Sequence, residues 1–258
     1  MTIHRPRRKP RKGKKLFGRK RKDRITTTPL VKKYWLQRYN LFSRYDEGIL
    51  LDEEGWYSVT PEEVAAKQAK RCPGKAVLDC FAGVGGNAIQ FAKRCPFVVA
   101  IDVDPDKIAM AVNNSKVYEV ADCIDFVIGD FFQLAPSLKG DVVFLAPPWG
   151  GPKYKEKTRY TLDLLKPRDG HTLFHAAQVV TPNIIMSLPR NVDLTQVEEL
   201  SWLSSPPLDV EVEENCVNGR IKCVTAYFGA ITQKASCKDS AAMILCNFRM
   251  SLDGSTSA

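Results

Sequence analysis

Two loops in this sequence carry residue types and spacings that can do chemistry. The first is Asp79-Cys80-Phe81-Ala82-Gly83-Val84-Gly85-Gly86-Asn87, at the end of a short apolar run. Glycines there let the backbone approach a ligand closely. Asp102 lies 19 residues beyond Gly83, where a carboxylate can accept both hydroxyls of a ribose. The spacing Gly83-x-Gly85-x-x-Ala88 also satisfies the dinucleotide fingerprint, so the glycines alone leave a nicotinamide dinucleotide open. Two acids favour S-adenosylmethionine. Asp79 can pair with the amino group of a methionine moiety but would repel a pyrophosphate. Asp130, in Gly129-Asp130-Phe131, can accept from an adenine amine while an aromatic covers the ring. Phe81, Gly83, Gly85, Asn87 and Phe131 join Asp79, Asp102 and Asp130 as candidate cofactor contacts.

The second loop is Ala146-Pro147-Pro148-Trp149, directly after the run DVVFL. An exocyclic amine on a base is a poor nucleophile, because its lone pair is delocalised into the ring. Carbonyls held by a stiff proline pair can accept from its N–H groups and aim the nitrogen, and Trp149 can stack on the base. A sulfonium methyl donor leaves easily, so positioning carries most of the burden and no strong base is required. Ala146, Pro147, Pro148 and Trp149 are the candidate catalytic residues.

These loops must be held at one edge of a sheet. The runs 76–81, 97–102, 125–128, 141–146 and 183–188 read as strands, alternating with helices over 86–94, 105–119, 172–180 and 193–200. That alternation predicts an α/β fold with a mostly parallel sheet covered on both faces. The runs 210–217 and 220–228 flank Asn218-Gly219, a hairpin signal, so a seven-stranded sheet should close with an antiparallel pair. Upstream, residues 30–45 read as one helix rich in aromatics and cations. A second should start at Thr60-Pro61-Glu62-Glu63, with Thr60 as N-cap and Glu63 completing a capping box.

Charge divides the chain unevenly. The formal net charge is +9, from 38 Lys and Arg against 29 Asp and Glu. Residues 1–24 hold 13 of the basic groups and one acid. The remainder is slightly acidic. Such a basic block should be disordered and suits nuclear or nucleolar import, contact with RNA phosphates, or both. The expected divisions are a disordered basic tail (1–29), a helical module (30–72), the α/β domain (73–232) and a poorly ordered extension (233–258). Eight scattered Cys, without a C-x-x-C pair, fit reduced thiols in cytosol or nucleus. His171 and His175 lack a third ligand, so no metal is expected. No apolar run approaches the roughly 18 residues of a membrane span.

The sequence resembles the trimethylguanosine synthase family over about residues 31–232. The resemblance rests on Tyr34-Trp35-Leu36-Gln37-Arg38-Tyr39, Leu41-Phe42-Ser43-Arg44-Tyr45-Asp46, Gly55-Trp56-Tyr57-Ser58-Val59-Thr60-Pro61 and the Asp79–Asn87 loop. It continues through Ile101-Asp102-Val103-Asp104-Pro105, Pro147-Pro148-Trp149-Gly150-Gly151-Pro152-x-Tyr154, Leu188-Pro189-Arg190-Asn191 and Thr225-Ala226-Tyr227-Phe228-Gly229. It implies a Rossmann-like class I methyltransferase that methylates the N2 amine of a 7-methylguanosine RNA cap with S-adenosylmethionine. It further implies that Phe42 and Thr60 help close over that donor. Lys33, Tyr154, Arg190 and Asn191 would hold the cap, and small nuclear and nucleolar RNAs would be the substrates. A nuclear or nucleolar monomer, also present in cytoplasm and meeting ribonucleoprotein proteins, is the expected setting. One departure stands out: Ala146 occupies the place of the family's usual Ser, which raises the alternative of a catalytically weakened cap- or RNA-binding paralogue; another nucleic-acid amine methyltransferase is the further alternative.

Overall fold

The computed structural model describes residues 29–233, so the expected basic tail up to residue 28 and nearly all of the C-terminal extension lie outside the described residues. Seven strands form one sheet in the order β3-β2-β1-β4-β5-β7-β6. They are β1 (Ala76–Asp79), β2 (Phe97–Asp102), β3 (Ile124–Ile128), β4 (Val142–Leu145), β5 (Ile184–Pro189), β6 (Val210–Val217) and β7 (Arg220–Phe228). The first five pair in parallel, while β7 runs antiparallel to both β5 and β6. Asn218 and Gly219 take the positive φ values, 52° and 70°, that a tight hairpin needs.

The central strands are apolar on both faces because both faces are covered. Val142, Val143, Phe144 and Leu145 are all fully buried. On one face, α8 (Gly170–Gln178) and α9 (Leu194–Ser201) send Leu173, Phe174, Val197 and Leu200 onto the sheet. On the other, α5 (Gly86–Ala92) buries Phe91 against Phe144, with ring centroids 5.1 Å apart. Aspartates start several helices. Asp104 accepts from the N–H groups of Asp106 and Lys107 at the head of α6 (Pro105–Val117). Asp130 does the same for α7 (Phe131–Leu134), Asp169 for α8 and Asp193 for α9.

The upstream module differs from expectation in two ways. The segment 30–45 is not one helix but α1 (Pro29–Trp35), a turn, and α2 (Arg38–Leu41), followed by a 3-10 turn at Tyr45–Glu47. The break lets the Arg38 guanidinium stack on Trp35 and Tyr39, at 3.8 and 4.2 Å from their ring centroids. After α3 (Gly55–Ser58), helix α4 (Glu62–Ala69) has Pro61, not Thr60, at its N-cap, and no side chain caps it. Glu62 turns away instead and accepts from the Ser43 N–H and the Tyr118 hydroxyl, tying the module to α6. Phe42, Ile49 and Trp56 then bury against Ile89 and Tyr118.

Candidate active site

The sheet order reverses direction between β1 and β4, where an open α/β sheet leaves a crevice at its carboxyl edge. A cavity of about 450 Å³ lies there. Its walls come from the loop after β1, the ends of β2 and β3, the Ala146–Trp149 loop after β4, and the upstream module.

At one end Asp102 is fixed by two backbone donors, Gly83 N–H at 2.8 Å and Asp104 N–H at 3.0 Å. Its remaining lone pairs are available in the cavity. Gly83 takes φ +51°, and a Cβ there would meet nothing within 4 Å, so this backbone is open to a ligand. Asp130 and Phe131 line the next stretch, where Phe131 meets Phe81 edge-on at 6.1 Å. Asn87 gives its Nδ2–H to Gln68 Oε1 at 2.6 Å, which leaves its carbonyl oxygen unspent in that bond. Thr60 also reaches the wall.

Asp79 sits behind this wall rather than on it, 1% exposed. Neither carboxylate oxygen has a donor in hydrogen-bonding geometry. Burial first, and the Asp102 charge second, push its pKa up to about 7, opposed only in part by the nearby N–H groups of Phe81 and Ala88. A buried carboxylate without partners suits the ammonium group of a bound donor. The neighbouring Cys80 thiol is pushed well above its ordinary range by burial, so it stays protonated and is no nucleophile.

The Ala146–Trp149 loop is pinned from three sides. The Pro148 carbonyl accepts from Lys166 N–H at 3.1 Å. The Trp149 carbonyl accepts from the buried Tyr160 hydroxyl, and its indole N–H donates to the Ser187 carbonyl, each at 3.3 Å. Tyr154 stands edge-on to the indole at 5.2 Å and 84°, while Val64, Val217 and Cys223 pack beside it. Among the described residues no protein donor reaches the carbonyls of Ala146 and Pro147. The loop therefore presents two acceptors and an aromatic ring in fixed relation.

Several expected contacts do not reach the cavity wall. Phe42 is buried in the module's core, behind Gly86, because the apolar ring gains more from Ile89 and Tyr118. Gly85 faces away too: a Cβ on it would stand 3.0 Å from that of Ala111, so it serves helix packing. Asn191 acts as a tether, donating to the carbonyls of Tyr154 and Lys157. Lys33 and Arg190 are exposed outside the wall, and Tyr154 lines it. Sequence reasoning missed Lys107, Glu54, Tyr57, Lys155 and Ser187, all cavity-lining. Lys107 left a trace as the third residue of a helix that begins beside Asp102, and Tyr57 as a member of the Gly55–Pro61 motif.

Comparison with known proteins matches residues 74–231 to the RNA cap guanine-N2 methyltransferase family. The chain belongs to that family. As a member of the RNA cap guanine-N2 methyltransferases it is an S-adenosylmethionine-dependent enzyme with a Rossmann-like fold. It is 42% identical over 217 residues to the trimethylguanosine synthase of Schizosaccharomyces pombe, covering 79% of this chain and 89% of that protein. It is 40% identical over 177 residues to that of Saccharomyces cerevisiae, covering 64% of this chain but only 56% of that protein. The fold is shared with a protein of Porphyromonas gingivalis W83 assigned as a methyltransferase, with TM-score 0.59, 15% identity, and coverage of 78% of this chain and 49% of that one. Fold and family thus agree with the cavity's acids and with its Pro-Pro-Trp loop.

Proposed function

We propose that this chain transfers methyl groups from S-adenosylmethionine to the exocyclic N2 amine of a 7-methylguanosine RNA cap, giving 2,7-dimethyl and then 2,2,7-trimethyl caps. The observation that carries this reading is the pair of partnerless carbonyls, Ala146 and Pro147, beside the pinned indole of Trp149. They accept from the amine N–H groups and turn its nitrogen toward the cofactor end. Trp149 fixes the base plane, and the positive charge of 7-methylguanine adds about 0.5–2 kcal/mol of cation–π attraction. Asp79, Asp102, Asp130 and Phe131 would hold the ammonium, ribose and adenine of the donor, which supplies an electrophilic methyl and a neutral leaving group. The nitrogen that forms the new N–CH3 bond becomes acidic and gives its proton to water. Tyr154 stays protonated, its pKa raised by burial, and with Lys33 and Arg190 it would meet the cap's phosphates.

Small nuclear and nucleolar RNAs in the nucleus are the substrates this reading favours, with ribonucleoprotein proteins as partners of a monomer. The basic tail would govern location and loose RNA affinity. Its removal should lower salt dependence on long RNA while leaving turnover on a short cap analogue nearly intact. Mass analysis of 7-methylguanosine diphosphate, incubated with S-adenosylmethionine and this protein, tests the activity. Gains of one and two methyls are expected. Binding without any gain would instead favour the paralogue in which Ala146 has cost the chemistry.

A further inference from the structure

The 22 basic residues of 29–233 are outnumbered by 26 acidic ones, yet five cations gather at one rim of the cavity. Lys33 on α1, Lys155 after the Pro-Pro-Trp loop, Arg190 past β5, and Arg220 and Lys222 on β7 converge there. Among the described residues, none of these five enters an ion pair, whereas Arg38, Arg44, Lys67, Arg71, Lys93, Lys107 and Arg159 all do. Burial first, then Lys155, Arg220, Lys33 and Arg190, lower the pKa of Lys222, which shows the five sharing one field. That repulsion is unrelieved in the free protein and would be relieved by polyanion binding.

Geometry gives the patch a direction. Pro189 pairs with Cys223, the last pair of β5 with β7, so Arg190 and Lys222 follow next to each other on the two strands. Cys223 packs beside Trp149, so this pair lies close to the proposed base site. Arg220 is two residues further toward the hairpin tip and exposed, about 6–7 Å along the strand. Aromatic faces interleave with the charges at the rim. Lys155 Nζ lies 5.5 Å from the Tyr154 ring and 6.0 Å from the Tyr34 ring, and it donates to the Tyr34 hydroxyl at 3.3 Å. Alternating cations and rings suit a single-stranded backbone, whose phosphates recur along an extended path.

We infer that the β6–β7 hairpin is an RNA exit track: the first nucleotides after the cap leave the cavity past Arg190 and Lys222 and run over Arg220. The inference rests on the cap-methylation reading and goes beyond it. The cap alone would engage only the cavity and its nearest cations. The RNA body would engage the hairpin, so preference for capped RNA over a free cap nucleotide originates there.

The test measures KM and kcat of the full chain on two substrates, 7-methylguanosine diphosphate and a capped ten-nucleotide single strand. The variants are Arg220→Ala, Arg220→Glu and, as an equal change of net charge on exposed α6, Lys116→Glu. Arg220→Glu should raise KM on the capped strand on the order of tenfold. Any loss on the diphosphate should be at least five times smaller, and Lys116→Glu should have little effect on either substrate. The slope of log KM against log salt on the capped strand should fall by roughly 0.7 in Arg220→Ala, as for one lost phosphate contact. Equal losses on both substrates, an Arg220 effect matched by Lys116→Glu, or an unchanged KM on the capped strand would overturn the track; the last would leave the patch to an acidic protein. Failure of the native chain to methylate either substrate would overturn the cap reading itself, a separate result.

Discussion

The indole N–H of Trp149 donates to the main-chain carbonyl of Ser187 across 3.3 Å, which ties the tip of the loop after β4 to the middle of β5. The ring plane is therefore set by the sheet and not by the loop. Trp149→Phe keeps an aromatic face but loses this bond and the larger indole surface. Its KM for 7-methylguanosine diphosphate should rise about 2- to 30-fold, the range of a cation–π contribution. Trp149→Ala should be worse. An unchanged KM in the alanine variant would remove Trp149 from the base site.

Asp79 makes the ligand-free protein sensitive to pH. In the unfolded chain it ionises near the ordinary carboxylate value, whereas in the fold it holds its proton up to about 7. A raised carboxyl pKa costs nothing below the unfolded value, costs progressively more between that value and about 7, and levels off above. Asp79→Asn should therefore melt higher than the native chain at pH 8 and lose that advantage near pH 4. S-adenosylmethionine should stabilise the native chain more at pH 8 than at pH 6, because its ammonium favours the ionised acid, and should stabilise the Asn variant little. Calorimetric melts across pH, with and without the donor, check both signs.

Ala146 supplies a carbonyl but no hydroxyl. Since the carbonyl is the acceptor, the native chain should be active, and Ala146→Ser should speed the methyl-transfer step about 2- to 10-fold by one added hydrogen bond. Single-turnover rates on a capped dinucleotide decide this. No detectable turnover in the native chain, restored by Ser, would show that the hydroxyl is indispensable.

Lys107 reaches from α6 to the segment before α3, meeting Asp52 at 3.1 Å and Glu54 at 2.8 Å, with its side chain only 14% exposed. This pair holds the upstream module over the donor's end of the cavity. Lys107→Met should cost about 1–2 kcal/mol, less than a fully buried pair because both acids retain some solvent. KM for S-adenosylmethionine should rise while kcat at saturation changes less, and Lys107→Arg should recover most of the loss. An equal fall in kcat would place Lys107 in the chemistry instead.

The strands and their order of appearance were legible because apolar runs such as VVFL have only one use when both faces of a sheet are covered. The Asn218-Gly219 hairpin was legible for a local reason, since few residues accept its backbone angles. The 30–45 segment misled, because its aromatic and cationic residues suit a helix locally while Arg38 gains more by folding back over Trp35 and Tyr39. At the site, the loop residues with unusual chemistry were visible from spacing. The residues that hold them, such as Lys166 beneath Pro148, Tyr160 beneath Trp149 and Gln68 beside Asn87, were not. Their partners lie far away in sequence and carry no pattern of their own.

The amino-acid sequence by itself determined the sheet, the two chemical loops and the class of ligand they suit, since those depend on local residue type and period. Tertiary structure decided which groups are left without partners. Asp79 has none because the fold buries it, the carbonyls of Ala146 and Pro147 have none because their neighbours are bound elsewhere, and the five rim cations lack an acidic partner because four separate elements bring them together. A missing partner is a property of a three-dimensional neighbourhood, and no order of residues along the chain contains it.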